Sequence, residues 1–80
     1  MSEKLFLTQL GQLIRNQRRV LHLSQEELAW RCNITKNGLG KIELGQSQVR
    51  ITTLMTILRE LNLNIYDLQI LQDAHYPFDE

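Results

Sequence analysis

Apolar residues recur every three or four positions along most of this chain, and this spacing predicts amphipathic helices. The first helix is predicted from about Thr8 to Leu21, with polar residues on its opposite side. Its inward-facing residues are Leu10, Leu13, Ile14 and Leu21. His22 follows where the chain must reverse, at a position that glycine usually fills. His22 is therefore predicted either to take a left-handed conformation or to shift the turn.

Two short helices with clear boundaries are predicted next. Ser24, followed three residues later by Glu27, is typical of a capping box at a helix start. Thr35 is the predicted N-cap of a helix over Lys36–Leu44, and Gly45 the residue that ends it. Sequence spacing therefore separates the two helices by only a tight turn.

The same segment has a consistent inner side. The residues predicted to face the core are Leu28, Ala29, Cys32, Leu39 and Ile42, and Ala29 is small enough for a close helix crossing. Asn33 and Ile34 form the predicted turn. Two short helices joined in this way make a helix-turn-helix, a unit that can place its second helix in the DNA major groove.

A fourth helix is predicted after a polar loop at Gln46–Val49, although no good N-cap residue marks its start. Its apolar face comprises Ile51, Leu54, Ile57, Leu58 and Leu61. Asn64 and Asp67 predict a capping box for a fifth helix reaching Gln72. An alternation through Leu61, Leu63 and Ile65 would also suit a short strand. The expected fold is therefore one all-α, five-helix domain spanning residues 1–80, with a core over about residues 8–71 and a flexible acidic tail over about residues 73–80.

Composition limits the kinds of chemical site that the chain can form. The single cysteine, Cys32, excludes an internal disulfide and a cysteine-rich zinc site, and His22 and His75 lack the spacing of metal ligands. No stretch approaches the roughly 20 apolar residues that a membrane span needs. We therefore expect a cytoplasmic protein without metal, cofactor or membrane contact. An 80-residue chain buries a small share of its surface, which favours a homodimer.

Charge is distributed unevenly although the formal net charge is zero. Between Lys4 and Arg50 eight basic residues accompany three acidic ones, whereas from Ile51 onward one arginine accompanies five acidic residues. A basic body with an acidic end suits a protein that binds nucleic acid on one side. A solvated surface with chance asymmetry is the alternative interpretation.

Gly38 and Gly40 make the third predicted helix unusual. Each glycine costs about 1 kcal/mol relative to alanine inside a helix. The segment is therefore either a poor helix or a helix whose backbone must approach another surface closely, such as a DNA groove. The flanking caps favour the second interpretation.

Several segments at matching mutual spacing resemble the Xre family of helix-turn-helix regulators, which includes the Cro and cI phage repressors. The matching segments are Leu10-Gly11, Ile14-Arg15, Leu23 to Ala29, Ile34-Thr35, Lys41 to Gly45, and Thr53-Leu54 with Ile57-Leu58 and Leu61. They cover about residues 8–68. Within the family, Thr52 to Ile65 most resembles the HipB antitoxins, and the short chain also resembles controller proteins of restriction-modification systems.

The resemblance implies a role for each matching position. Gln25 matches a glutamine that meets a DNA phosphate at a helix N-terminus. Base readout is implied for Lys36, Asn37 and Lys41, since lysine can donate to guanine and asparagine can pair with adenine. Groove-facing or phosphate-contacting positions are Thr35, Gly40, Gln46, Ser47 and Arg50. Arg18 and Glu43 match an ion pair that bridges the first and third helices. Gly38 and Gly40 stand where the family usually has polar side chains, and Val49 replaces a frequent proline.

The implied function is a dimeric, sequence-specific DNA-binding regulator, most simply a repressor of a pseudo-palindromic operator. Its dimer contact is expected at Ile65, Leu68 and Leu71. The alternative is an antitoxin that binds a toxin protein, for which Trp30 is the candidate contact because tryptophan is enriched at binding hot spots. The sequence shows no arrangement of catalytic nucleophile and base, so an enzyme is not expected.

Overall fold

The computed structural model describes residues 2–69 and 71, and the regular secondary structure in this part of the chain is all helical. In order along the sequence, the elements are α1 (Glu3–Val20), α2 (Gln25–Arg31), α3 (Lys36–Glu43), α4 (Ile51–Glu60) and one turn of 3-10 helix over Ile65–Leu68. The predicted all-α class is confirmed, and the alternative of a strand near Ile65 is wrong. The predicted acidic tail lies outside the described residues.

Helix α1 begins five residues earlier than predicted. Ser2 is its N-cap, and the Ser2 hydroxyl oxygen accepts a hydrogen bond from the Leu5 N–H at 3.0 Å. Thr8, the predicted start, lies inside the helix, where its hydroxyl donates to the Lys4 carbonyl at 3.0 Å. The extra turn lets Phe6 pack against the core.

All four described α-helices end in the same way. The residue just beyond each helix cap is left-handed, with φ values of 59° at His22, 59° at Asn33, 73° at Gly45 and 60° at Asn62. At each end, two backbone N–H groups return to carbonyls of the last turn, as Gly45 N does to Ile42 O at 3.0 Å and Gln46 N to Lys41 O at 2.9 Å. This is the Schellman motif. His22 therefore takes the left-handed conformation, the first of its two predicted outcomes.

The core lies between the four helices. Its fully buried large side chains are Leu10, Ile14, Leu28, Leu39, Ile57, Leu58 and Leu61. Ala29 and Cys32 are buried as predicted, and Gln17 ties α1 to the end of α4 by donating to the Leu61 carbonyl at 3.0 Å. The prediction that Ile51 faces the core is wrong. This first residue of α4 is 64% exposed, because the apolar contacts of α4 begin one turn later at Leu54.

Two glycines set the close approach of α1 to the end of α3. A Cβ at Gly11 would lie 2.4 Å from the Glu43 carbonyl oxygen. Gly45 has a positive φ, and a Cβ there would lie 2.6 Å from the Thr8 Cα. Neither position can hold a side chain unless the backbone moves, so both glycines serve the packing of α1 on α3.

The segment after α4 begins with the predicted capping box. The Asn64 N–H donates to Asp67 Oδ2 at 2.7 Å, and the Tyr66 N–H donates to Asn64 Oδ1 at 2.8 Å. The turn over Ile65–Leu68 is 3-10 helix, and Gln69 and Leu71, within the predicted fifth helix, are α-helical. Ile65, Leu68 and Leu71 do not form one outward face: Leu71 is buried in the chain's own core at 6% exposure, Leu68 is partly buried, and Ile65 is 42% exposed. Leu71 therefore supports the fold and is not available for a dimer contact.

Within residues 2–69 and 71, no helix is both long and apolar enough to cross a membrane.

Candidate nucleic-acid interface

Helix α3 presents a polar outer face that the rest of the domain leaves uncovered. Thr35 starts the helix as predicted, with its side-chain oxygen accepting a hydrogen bond from the Gly38 N–H at 2.9 Å. Leu39, Ile42 and Glu43 are buried on the inner side. The side chains of Lys36, Asn37 and Lys41 are all exposed on the outer side. The three residues assigned to base readout therefore share one accessible surface, which we call the α3 outer face.

The two glycines of α3 differ in what surrounds them. A Cβ at Gly40 would have Gln25 Nε2 as its nearest neighbour, at an ordinary contact distance of 3.9 Å. A Cβ at Gly38 would lie 3.0 Å from the Thr35 hydroxyl oxygen that caps the helix. The fold therefore does not require a glycine at position 40. This favours the interpretation that the backbone of α3 is kept bare for a close approach.

Arg18 and Glu43 brace α1 against α3, in the arrangement that the resemblance implied. Arg18 Nε donates to Glu43 Oε2 at 2.7 Å, and Arg18 Nη2 donates to Glu43 Oε1 at 3.2 Å. A third bond runs from Arg18 Nη1 to the Leu23 carbonyl at 2.8 Å. Arg18 is 9% exposed and Glu43 is 2% exposed. The pair is thus bidentate, buried and tied to the turn that leads into α2.

The electrostatic state of Glu43 follows from these contacts. Burial by itself raises the pKa of Glu43, but hydrogen bonds from Arg18 and Gln25, together with the charges of Arg18 and Arg15, more than offset this effect. The pKa of Glu43 therefore lies below its usual value. Because the unfolded chain protonates Glu43 at higher pH than the folded chain, the stabilisation is present at neutral pH and is lost as the pH falls below about 4.3.

A basic groove of about 460 Å³ lies where α1, the start of α2 and the start of α3 meet. We call it the arginine groove, and its lining residues are Arg15, Arg18, Arg19, Ser24, Gln25, Glu26 and Lys36. Ser24 caps α2 as predicted, with its hydroxyl oxygen accepting from the Glu27 N–H at 3.0 Å. The Glu27 carboxylate pairs with Arg31 at 2.9 Å, so the glutamate half of the capping box is not formed.

The site predicted from sequence does not include Arg15 and Arg19. A signal for them exists, because positions 15, 18 and 19 have the spacing that places side chains on one face of a helix. Arg15 Nε is buried, has no hydrogen-bond acceptor among the described residues and lies 3.7 Å from Glu43 Oε1. Both arginines contribute charge to a groove that also contains Gln25, the predicted phosphate contact.

Gln25 has a second contact that the sequence did not indicate. It is the first residue of α2, and its Nε2 donates to Glu43 Oε1 at 2.9 Å. The contact joins residues 18 positions apart, and neither residue type identifies it in advance. Gln25 is therefore attached to the same carboxylate that braces α1 and α3.

The loop after α3 borders the α3 outer face. Gln46 and Arg50 are exposed, Ser47 is partly buried, and Arg50 starts α4 without a side-chain cap. Gln48 hydrogen-bonds to Glu3 at the start of α1, which anchors the loop to the domain. The predicted phosphate-contacting residues beyond α3 therefore lie on a loop that Gln48 ties to the start of α1.

Trp30 and Cys32 lie on opposite sides of α2. Trp30 is 80% exposed, whereas Cys32 is buried. Burial raises the pKa of the Cys32 thiol, Glu60 raises it further and Arg59 opposes the shift. Cys32 is thus a protonated, buried group at neutral pH, as expected for a core side chain.

Helices α2 and α3, joined by the turn at Asn33 and with one face of α3 uncovered, define a helix-turn-helix domain. The chain belongs to the HTH_3 helix-turn-helix family, whose sequence profile matches residues 14–68. The predicted membership in the Xre, Cro and cI group of regulators is thereby confirmed. The particular resemblance to HipB antitoxins stays a prediction. No curated protein matches the sequence significantly.

Solved structures share this fold. The restriction-modification controller protein C.AhdI from Aeromonas hydrophila is 29% identical with a TM-score of 0.73, over 78% of this chain and 94% of that one. An HTH_3 family transcriptional regulator from Vibrio cholerae is 28% identical with a TM-score of 0.75, over 95% of this chain but 46% of that longer one. The clp gene regulator ClgR from Corynebacterium glutamicum has a TM-score of 0.79 at 22% identity, covering 86% of this chain and 73% of that one, which establishes similarity of fold alone.

Proposed function

We propose that this protein is a sequence-specific transcriptional regulator that binds double-stranded DNA as a homodimer and acts as a repressor. The observation that carries the proposal is the α3 outer face, where Lys36, Asn37 and Lys41 are exposed together in an HTH_3 domain. The similarity of the chain to a controller protein and to an HTH_3 transcriptional regulator supports a regulatory role.

In this proposal the α3 outer face enters the major groove and reads bases. Lys36 and Lys41 donate to guanine O6 and N7, and Asn37 pairs with adenine N6 and N7. The absence of a side chain at Gly40 lets the α3 backbone lie close to the base edges. The helix presents no acidic side chain outward, because Glu43 faces the core.

Phosphates are held on both sides of α3. On one side, the arginine groove supplies Gln25 and the guanidinium groups of Arg15 and Arg19. On the other side, the loop supplies Gln46, Ser47 and Arg50. Contacts of this kind orient the domain on the duplex and supply most of its salt-dependent affinity.

The homodimer would place two α3 helices about 34 Å apart on a pseudo-palindromic operator. With Leu71 buried, the exposed apolar residues near the end of the described chain are the candidates for this contact. They are Ile51 and Met55 on α4, with Ile65 and Tyr66 after it. Sedimentation velocity of the wild-type protein and of Tyr66→Asp tests the contact, since the substituted protein should sediment as a monomer.

The experiment for DNA binding starts with selection of duplexes from a random-sequence pool by the wild-type protein. Fluorescence anisotropy then measures the Kd of the enriched duplex over a series of salt concentrations, for wild type, Lys36→Ala and Arg59→Ala. Arg59→Ala is the matched control, because it also removes one positive charge, but from α4, where Glu60 is the next residue. We expect Lys36→Ala to weaken binding and Arg59→Ala to leave it nearly unchanged. Equal effects of the two variants, or no enriched duplex, would contradict the proposal.

The second candidate function is that of an antitoxin that also regulates its own operon. The observation in its favour is Trp30, a large aromatic side chain left 80% exposed on α2. Co-purification with the product of the adjacent gene tests it. Trp30→Ala should then abolish co-purification while DNA affinity stays the same.

A further inference from the structure

We propose that Glu43 is a positioning residue for DNA phosphate contact, acting through the hydrogen bond that its Oε1 accepts from Gln25 Nε2. The proposal rests on the proposed DNA-binding function and deepens it. It assigns to a buried residue, which touches no DNA, control over how the arginine groove receives a backbone phosphate.

The two oxygens of Glu43 have different sets of partners. Oε2 accepts the shortest bond to Arg18, at 2.7 Å, and this bond holds α1 to α3. Oε1 faces the arginine groove, where it accepts from Gln25 Nε2 at 2.9 Å and lies 3.7 Å from Arg15 Nε. Oε1 also accepts the longer bond from Arg18 Nη2, at 3.2 Å. Both oxygens therefore hold Arg18, and Oε1 alone contacts Gln25 and Arg15.

Orientation matters because the Gln25 side chain is long and polar. A free glutamine side chain samples many rotamers, and ordering it on binding reduces affinity. With one Nε2 hydrogen engaged by Glu43, the second remains available to donate to a phosphate oxygen. Glu43 thus holds the side-chain donor of Gln25 in place before DNA arrives.

The charge balance in the groove agrees with this role. The groove is lined by the four basic side chains Arg15, Arg18, Arg19 and Lys36, and Glu43 offsets one of these charges through its contacts with Arg18 and Arg15. Glu26 is the acidic residue in the lining. The net charge of the groove is therefore positive, which favours a phosphate, even though the Glu43 carboxylate contacts two of its arginines.

Two double variants test the proposal as a matched pair. Arg18→Met with Glu43→Leu replaces the ion pair with apolar side chains, a change that buried ion pairs often tolerate. Arg18→Met with Glu43→Gln also removes both charges but keeps an oxygen acceptor for Gln25. The two double variants differ in whether residue 43 can accept the hydrogen bond from Gln25. Circular dichroism and thermal unfolding establish that each variant is folded at the temperature of the binding measurement.

The measurement is the Kd of each protein for the enriched duplex and for copies of that duplex. Each copy carries one neutral methylphosphonate in place of one phosphate. At the phosphate contacted by Gln25, we expect this replacement to weaken wild-type binding roughly tenfold, as loss of one charged hydrogen bond would. The Glu43→Leu double variant should lose most of that sensitivity, and the Glu43→Gln double variant should retain it.

The possible results separate the inference from the proposed function. If wild type enriches no duplex, the proposed function fails and the inference fails with it. If wild type binds and both double variants keep the wild-type sensitivity to the methylphosphonate, the positioning role of Glu43 is overturned while the DNA-binding function stands.

If neither double variant folds, NMR relaxation of the Gln25 side-chain amide in the wild-type protein tests the positioning role instead. An order parameter near that of the rigid backbone supports the role, and one below about 0.6 overturns it.

Discussion

The inner and outer faces of α3 belong to one helix of eight residues but have very different surroundings. On the inner face, Glu43 is 2% exposed and bonded to Arg18, and its backbone carbonyl lies where a Cβ on Gly11 would collide with it. On the outer face, Lys36, Asn37 and Lys41 contact solvent, and a Cβ at Gly40 would meet only ordinary contacts. Inner substitutions should therefore have their largest effect on the free energy of unfolding, whereas outer substitutions should have theirs on DNA binding.

The strongest test of the inner face is Glu43→Ala. Removal of the carboxylate leaves the Arg18 guanidinium buried without a counter-charge, and we expect the free energy of unfolding to fall by about 3 to 5 kcal/mol. Urea denaturation followed by circular dichroism measures the change. Glu27→Ala is the control, because its pair with Arg31 is exposed and such pairs contribute about 0 to 1 kcal/mol. A loss for Glu43→Ala as small as that of the control would contradict the buried brace.

Gly11→Ala tests the inner face by sterics alone. A Cβ 2.4 Å from the Glu43 carbonyl oxygen forces α1 and α3 apart, and overpacking of this kind costs about 1 to 3 kcal/mol. The same urea titration measures it. A Gly11→Ala protein as stable as wild type would show that α1 can shift on α3 without loss.

Lys41→Ala should show the opposite pattern on the outer face. We expect specific DNA binding to weaken by about 1 to 3 kcal/mol, because the proposed base contact would be lost, with the unfolding free energy unchanged within about 0.5 kcal/mol. Anisotropy on the enriched duplex and on an unrelated duplex measures the specific part. A variant that loses stability but no specificity would remove Lys41 from the reading surface.

Gly40→Ala gives the smallest and most discriminating effect. Alanine should raise the unfolding free energy by up to about 1 kcal/mol, because glycine is the poorer helix former and the fold has room for the methyl group. If the backbone of α3 meets the duplex, the same methyl group should weaken DNA binding. A variant that gains stability and keeps its full affinity would show that the bare position has no role in recognition.

The helix-turn-helix could be predicted from sequence because its signals are local. Ser24, Thr35 and Gly45 each mark a helix boundary through hydrogen bonds or dihedral angles within a few residues, and all three mark the boundaries seen in the structure. The start of α1 was missed because two residues, Ser2 and Thr8, are both suitable caps. Packing of Phe6 on the core accompanies the earlier one.

The contacts that organise the site could not be predicted because they join distant positions. Gly11 meets Glu43 across 32 positions, and Gln25 meets Glu43 across 18. No sequence pattern around a glycine or a glutamine predicts a contact with a residue so far along the chain. Arg15 and Arg19 were recoverable from their helical spacing with Arg18, although the groove they line forms only when α2 and α3 are in place.

The repeated helix ending has a thermodynamic consequence for recognition. Because left-handed residues and paired backbone bonds close the ends of α1 to α4, the connections between these helices begin from a fixed geometry. If α3 enters the major groove as proposed, a helix held in this way reaches the duplex already ordered, so little conformational entropy is lost on binding. Calorimetry should accordingly show a heat-capacity change that matches the area buried between protein and DNA, without the larger change that accompanies coupled folding.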